Sequence, residues 1–233
     1  MLTNTNIVEE KVRIKGSGRT LEGILAYPDG RPGFSALIAG PHPFLGGDMH
    51  NNVVISLLRT LASHGAVALA FNYGGVGGSE GGPADWPAVM SAFWKDGTFD
   101  EENDWAEDTR SAIKALQQWS HQTPVFIGYS FGCWTIAKHL QRSNAGAIVL
   151  ISPNPKKHSF DQLSECTTPL LLIHSDNDFT CSAAEIIEWF DSIREPKTRT
   201  QLSAGEHFFR GSEAELASVV VKFLHGADII RQE

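Results

Sequence analysis

Pro124-Val125-Phe126-Ile127-Gly128-Tyr129-Ser130-Phe131-Gly132 is the stretch whose reading decides the fold. A short apolar run ends in Gly-x-Ser-x-Gly, and the following segment, Phe131 to Gln141, sets Trp134, Ile136, Ala137 and Leu140 at helical spacing without a proline. Strand, sharp turn and helix in that order expose a serine hydroxyl above the edge of a sheet. The flanking glycines lack a Cβ and are expected to let the backbone take the strained turn. The N–H of Phe131 then faces the place where an oxyanion would form. The pattern occurs twice, however. The other copy, Gly77-Gly78-Ser79-Glu80-Gly81, runs into Gly82-Pro83 where a nucleophile turn needs a helix, so Ser79 reads as part of a mobile glycine-rich loop.

Outward from Ser130 the chain alternates between strand and helix signals. Continuous apolar runs at Ala36 to Ala39, Val67 to Phe71, Val125 to Ile127, Ala147 to Ile151 and Leu170 to Ile173 predict strands buried on both faces, as in a parallel sheet. Helical spacing falls between them, at Val53 to Ser63, Asp104 to Trp119, Phe131 to Gln141 and Ala183 to Ile193, with a last helix over Ser212 to His225. Period-two alternation at Lys11 to Lys15 and Leu21 to Ala26 predicts an antiparallel hairpin at the start. With a last strand near Arg199 to Leu202, the expectation is one α/β domain over residues 1–233. It has about eight mostly parallel strands, an N-terminal antiparallel hairpin and helices on both faces. Residues 83–100 fit no strand and carry Trp86, Phe93 and Trp94; they predict either a small lid or pocket wall, or a contact surface.

A serine hydroxyl needs a base, and the base an orienting carboxylate. In a doubly wound sheet these must come from loops at the carboxyl ends of strands. Asp178, beyond the strand Leu170 to Ile173, is favoured over Asp176, which suits an Asx turn. His207, in Gly205-Glu206-His207-Phe208-Phe209, stands between the last strand and last helix; His64, His139, His174 and His225 have structural explanations. Ser130, Asp178 and His207 follow the nucleophile, acid, base order. A second oxyanion donor is expected from Gly40-Pro41-His42-Pro43-Phe44-Leu45-Gly46-Gly47, where the prolines lack an N–H and leave Phe44. His42, Asp48 and His50 fall short of a metal ligand set, so no metal and no cofactor are expected.

Composition narrows the partners. A formal net charge of −8, with no basic cluster beyond Lys156-Lys157, disfavours nucleic acid. No apolar run is long enough to span a bilayer, and Met1 to Lys11 is polar and acidic, which predicts a soluble, cytoplasmic protein. Three scattered cysteines, Cys133, Cys166 and Cys181, suit a reducing compartment. A monomer or homodimer acting on a small-molecule acyl substrate is the expectation.

Together Pro41-His42-Pro43, Gly46-Gly47-Asp48-Met49-His50-Asn51, Phe71 to Gly81, Gly128 to Gly132, Asp178 and Gly205 to Phe209 resemble the α/β-hydrolase superfamily. The resemblance is to its small, capless bacterial hydrolases related to dienelactone hydrolase and acyl-peptidase-like domains. It implies a serine hydrolase that cleaves carboxylic esters or thioesters of small to medium acyl groups. Peptide or amide hydrolysis, and a non-catalytic ligand-binding homologue, are the alternatives. Dienelactone hydrolases carry Cys where this chain has Ser130, and many relatives have His-Gly where it has His42-Pro43. Only the short segment from Ser152 to Thr168 stands where larger lipases insert a cap.

Overall fold

Strands rich in Ala, Val, Ile and Leu form the centre of an eight-stranded sheet in the computed structural model, which describes residues 6–82, 85–96, 102–140, 144–203 and 206–230. The strands are β1 (Ile7–Lys15), β2 (Thr20–Pro28), β3 (Phe34–Ala39), β4 (Ala66–Phe71), β5 (Pro124–Tyr129), β6 (Ala147–Ile151), β7 (Leu170–Ser175) and β8 (Lys197–Leu202). Their order across the sheet is β1-β2-β4-β3-β5-β6-β7-β8. β1 pairs with β2, and β2 with β4, antiparallel; the rest is parallel. Every residue of β3, β4, β5, β6 and β7 is buried, which is why these segments read as continuous apolar runs.

Among the described residues the α-helices are α1 (Asn52–Ser63), α2 (Trp86–Asp96), α3 (Glu102–Trp119), α4 (Phe131–Ala137), α5 (Ala183–Asp191) and α6 (Glu213–Gly226). Alternate residues of each strand feed opposite cores. One core joins Leu37, Leu69, Phe126 and Leu150 to α3, α4 and α5. The other joins Ile38, Ala68, Ile127 and Val149 to α1 and α6. The chain therefore leaves β3 towards one face, through α1, and β5 towards the other, through α4. β3 and β5 lie side by side, so a crevice opens between their carboxyl ends at this switch of winding. Ser130 and the loop after β3 both stand at that crevice.

Three expectations are adjusted. α4 ends at Ala137, short of Leu140, and Gln141 lies outside the described residues. Much of the insertion expected at 83–100 is the helix α2; residues 83–84 and 97–100 lie outside the described residues. The glycine-rich segment after β4 is pinned in place by side chains. Arg19 donates twice to Asp108 (2.7 and 2.8 Å), and Asp108 accepts the Gly74 N–H at 2.8 Å. A Cβ on Gly74 would lie 2.6 Å from the Arg19 guanidinium carbon, so the glycine leaves the space in which Arg19 reaches Asp108. Among the described residues no helix is long and apolar enough to cross a membrane.

Candidate active site

Ser130 sits between β5 and α4 with φ 54° and ψ −115°, a backbone conformation that side chains rarely adopt. The strain lies on the serine itself; Gly128 and Gly132 are absent from the positive-φ residues. Their role is packing. A Cβ on Gly132 would lie 2.0 Å from Ala39 O, and one on Gly128 2.4 Å from Cys133 Cα. The two glycines thus let β3 and α4 close on the turn, which corrects the expectation that they relieve backbone strain themselves. Ser79 of the second copy is held quite differently: its hydroxyl donates to Asn72 O at 2.8 Å and accepts from Glu22 N–H at 2.9 Å.

The three convergent loops bring Ser130, His207 and Asp178 into one chain of hydrogen bonds. His207 Nε2 lies 3.0 Å from Ser130 Oγ, and His207 Nδ1 lies 2.9 and 2.8 Å from the two oxygens of Asp178. Burial opposes ionisation of Asp178, but hydrogen bonds from His207 and Thr180 outweigh it and hold the carboxyl below its ordinary value. Thr180 supplies both its N–H (2.8 Å) and its hydroxyl (2.7 Å) to Asp178 Oδ1. Tyr129 stacks on the imidazole at 5.8 Å and donates its hydroxyl to His207 O at 3.0 Å, fixing ring and backbone together. Asp176 is placed elsewhere, its N–H donating to Leu202 O at 3.1 Å. An imidazole with a hydroxyl on one nitrogen and a carboxylate on the other can accept the hydroxyl proton while the carboxylate stabilises the imidazolium.

The oxyanion side is less complete. Phe131 opens α4, where the first amides have no partner within the helix. The Phe44 N–H, expected as the second donor, is bonded instead to His42 Nδ1 at 3.1 Å, because His42 caps the 3-10 turn that begins at Pro43. Cys133 lies wholly buried beneath the turn, its Sγ donating to Gly128 O and Ile151 O. Burial pushes its thiol pKa up, so it stays protonated.

A cavity of about 60 Å³ adjoins Ser130, walled by Phe93, Phe131, Trp134 and Phe160, with His42 and His158 at its polar side. Of the three aromatic residues expected there, only Phe93 lines it. Trp86 packs against Phe44, ring centroids 5.2 Å apart, and Trp94, next to Phe93 on α2, is turned outward and 67% exposed. Adjacent positions on a helix point about 100° apart, and here Phe93 is turned inward and Trp94 outward. Among the described residues no group of three or more His, Cys, Asp or Glu is arranged to hold a metal ion.

The arrangement has counterparts. A structure from Coxiella burnetii, described as an alpha-beta serine hydrolase homologue, superposes with TM-score 0.79 at 26% identity over 92% of this chain and 97% of its own. Its fold is that of the α/β-hydrolases. An esterase domain of a Rhodothermus marinus protein shares this α/β-hydrolase fold at TM-score 0.72 and 18% identity, over 94% of this chain and 98% of its own. In sequence the α/β-hydrolase chain is 28% identical to an uncharacterized protein, RP471, of Rickettsia prowazekii over 201 residues, 81% of this chain and 77% of that one. No family model matches.

Sequence reasoning missed the buried carboxylate Glu102, which bridges His42 (3.2 Å) and His158 (3.0 Å) beside the cavity. At a helix start an acidic residue reads as a partner for the helix dipole, and nothing in the sequence marks this one as 3% exposed. Thr180, two residues beyond Asp178, did carry a signal: that spacing suits a local hydrogen bond to the carboxylate.

Proposed function

We propose that the protein is a serine hydrolase that cleaves carboxylic esters or thioesters of short acyl groups through an acyl-enzyme. The observation that carries this reading is the continuous Ser130–His207–Asp178 hydrogen-bond chain, set on a strained turn and opening on an apolar cavity. The serine hydrolase homologue and the esterase domain of like fold support it.

In this reading Ser130 Oγ attacks the acyl carbon and its proton passes to His207 Nε2. Asp178 stays ionised and holds the imidazolium. The oxyanion meets the Phe131 N–H at the start of α4. Collapse expels the alcohol or thiol, which takes the proton from His207. Water, giving a proton to the same nitrogen, attacks the acyl-enzyme; the acid departs and the proton returns to Ser130.

The cavity volume sharpens the substrate. At about 60 Å³ it is far smaller than the ~300–1,000 Å³ of ordinary ligand pockets, which favours short acyl groups over long chains. Turnover of nitrophenyl esters from acetate to octanoate tests this. The expected profile peaks at two to four carbons, roughly tenfold or more above octanoate in kcat/KM. A peak at octanoate contradicts the short-acyl reading, and turnover of anilides at ester-like rates contradicts the ester preference.

A further inference from the structure

Glu102 has no part in the proposed chemistry, yet it is a carboxylate buried to 3% exposure beside the nucleophile. Its two oxygens are each taken by an imidazole: His42 Nε2 at 3.2 Å and His158 Nε2 at 3.0 Å. Both imidazoles pack edge-on against Phe131, the residue after the nucleophile, with ring centroids 4.8 and 5.6 Å away. His158 also stacks on Trp134 at 4.6 Å, and both histidines line the cavity at Ser130. The loop after β3, the start of α3 and the segment between β6 and β7 are thereby tied together around Phe131. An apolar side chain would fill this space without the desolvation that a buried carboxylate suffers.

The hydrogen bonds fix which nitrogen of His42 carries the proton. The Phe44 N–H can only donate, so His42 Nδ1, which it approaches at 3.1 Å, must present a lone pair. The proton of neutral His42 is then on Nε2, where it is donated to Glu102. Burial lowers the His42 pKa, in keeping with a neutral ring. Without the Glu102 carboxylate the buried Nε2–H loses its acceptor and only the Phe44 N–H still favours this tautomer; in the other tautomer Nδ1–H would oppose Phe44 N–H and displace the loop.

We propose that Glu102 is a positioning residue of the hydrolase site: by bridging His42 and His158 it sets the His42 tautomer, and through it the direction of the Phe44 amide and the walls around Phe131. The proposal rests on the serine hydrolase reading and extends it to a residue some 28 positions from the nucleophile in sequence. Glu102 acts in this role through other groups and touches no reacting atom.

The test combines active-site labelling, kinetics and the state of His42. Wild type and Glu102→Leu are labelled with a fluorophosphonate, and kcat and KM are measured per labelled site, which counts only folded protein. The expected result is full labelling of both, with kcat lower by about tenfold or more in Glu102→Leu and KM within about threefold. Glu102→Gln, whose amide oxygen still accepts from His42 and whose NH2 can donate to His158, should recover most of the rate. Nitrogen chemical shifts of His42 in wild type should report a protonated Nε2 and a bare Nδ1, a readout that needs no variant to fold. Wild-type kcat in labelled Glu102→Leu, or the opposite tautomer in wild type, overturns the positioning role. Failure of wild type to label at all overturns the serine hydrolase reading instead, so the two failures are distinct.

Discussion

Gly77 to Gly81 and Gly128 to Gly132 carry the same Gly-x-Ser-x-Gly pattern, and the structure uses them in opposite ways. Ser130 is strained at φ 54°, leads directly into α4, and is bonded to an imidazole. Ser79 is a satisfied structural hydroxyl that ties the loop after β4 to β2 through Asn72 O and Glu22 N–H. Around Ser130 the glycines permit β3 and α4 to close in; around Ser79 they leave room for the side chains of Arg19 and Glu22. The pattern alone therefore carries no chemistry. A helix directly behind the serine, and a base and carboxylate at the ends of neighbouring strands, make the difference.

Substitutions can break that contrast at each copy. Ser130→Ala should lower kcat on a short nitrophenyl ester by roughly 10³-fold or more while leaving the thermal midpoint near wild type; retention of activity would remove Ser130 from the chemistry. Gly132→Ala places a methyl where Ala39 O stands 2.0 Å away. It should cost about 1–3 kcal/mol in denaturant unfolding, with activity falling as the turn shifts. An unaltered midpoint would refute the packing role assigned to this glycine. Ser79→Ala should have the smallest effect on turnover, within about twofold, and cost about 1–3 kcal/mol of stability, because it strips Glu22 N–H and Asn72 O of their partner. A large loss of kcat there, in folded protein, would erase the distinction between the two serines.

The same contrast explains how far the residues could be read before the fold was known. Strands β3 to β7 were legible because burial on both faces leaves unbroken apolar runs, and the hairpin of β1 and β2 because one-sided burial leaves alternation. That Ser130, His207 and Asp178 would meet at one edge of the sheet was legible because each stands beyond the end of a strand. The Phe44 amide was not, since its direction depends on a side chain two residues earlier acting as a cap. Trp86 and Trp94 were misplaced because composition shows that an insertion is aromatic without showing the phase of its helix. Glu102, His42 and His158 meet from three separated segments, so no local spacing announces them.

The most direct measurement is intact mass and peptide mapping after exposure to a fluorophosphonate, with Ser130→Ala and Ser79→Ala alongside wild type. A single adduct on wild type, mapped to Ser130, abolished in Ser130→Ala and undiminished in Ser79→Ala, is the predicted result. No adduct on wild type, or one that persists in Ser130→Ala, would contradict the assignment of Ser130 as the nucleophile.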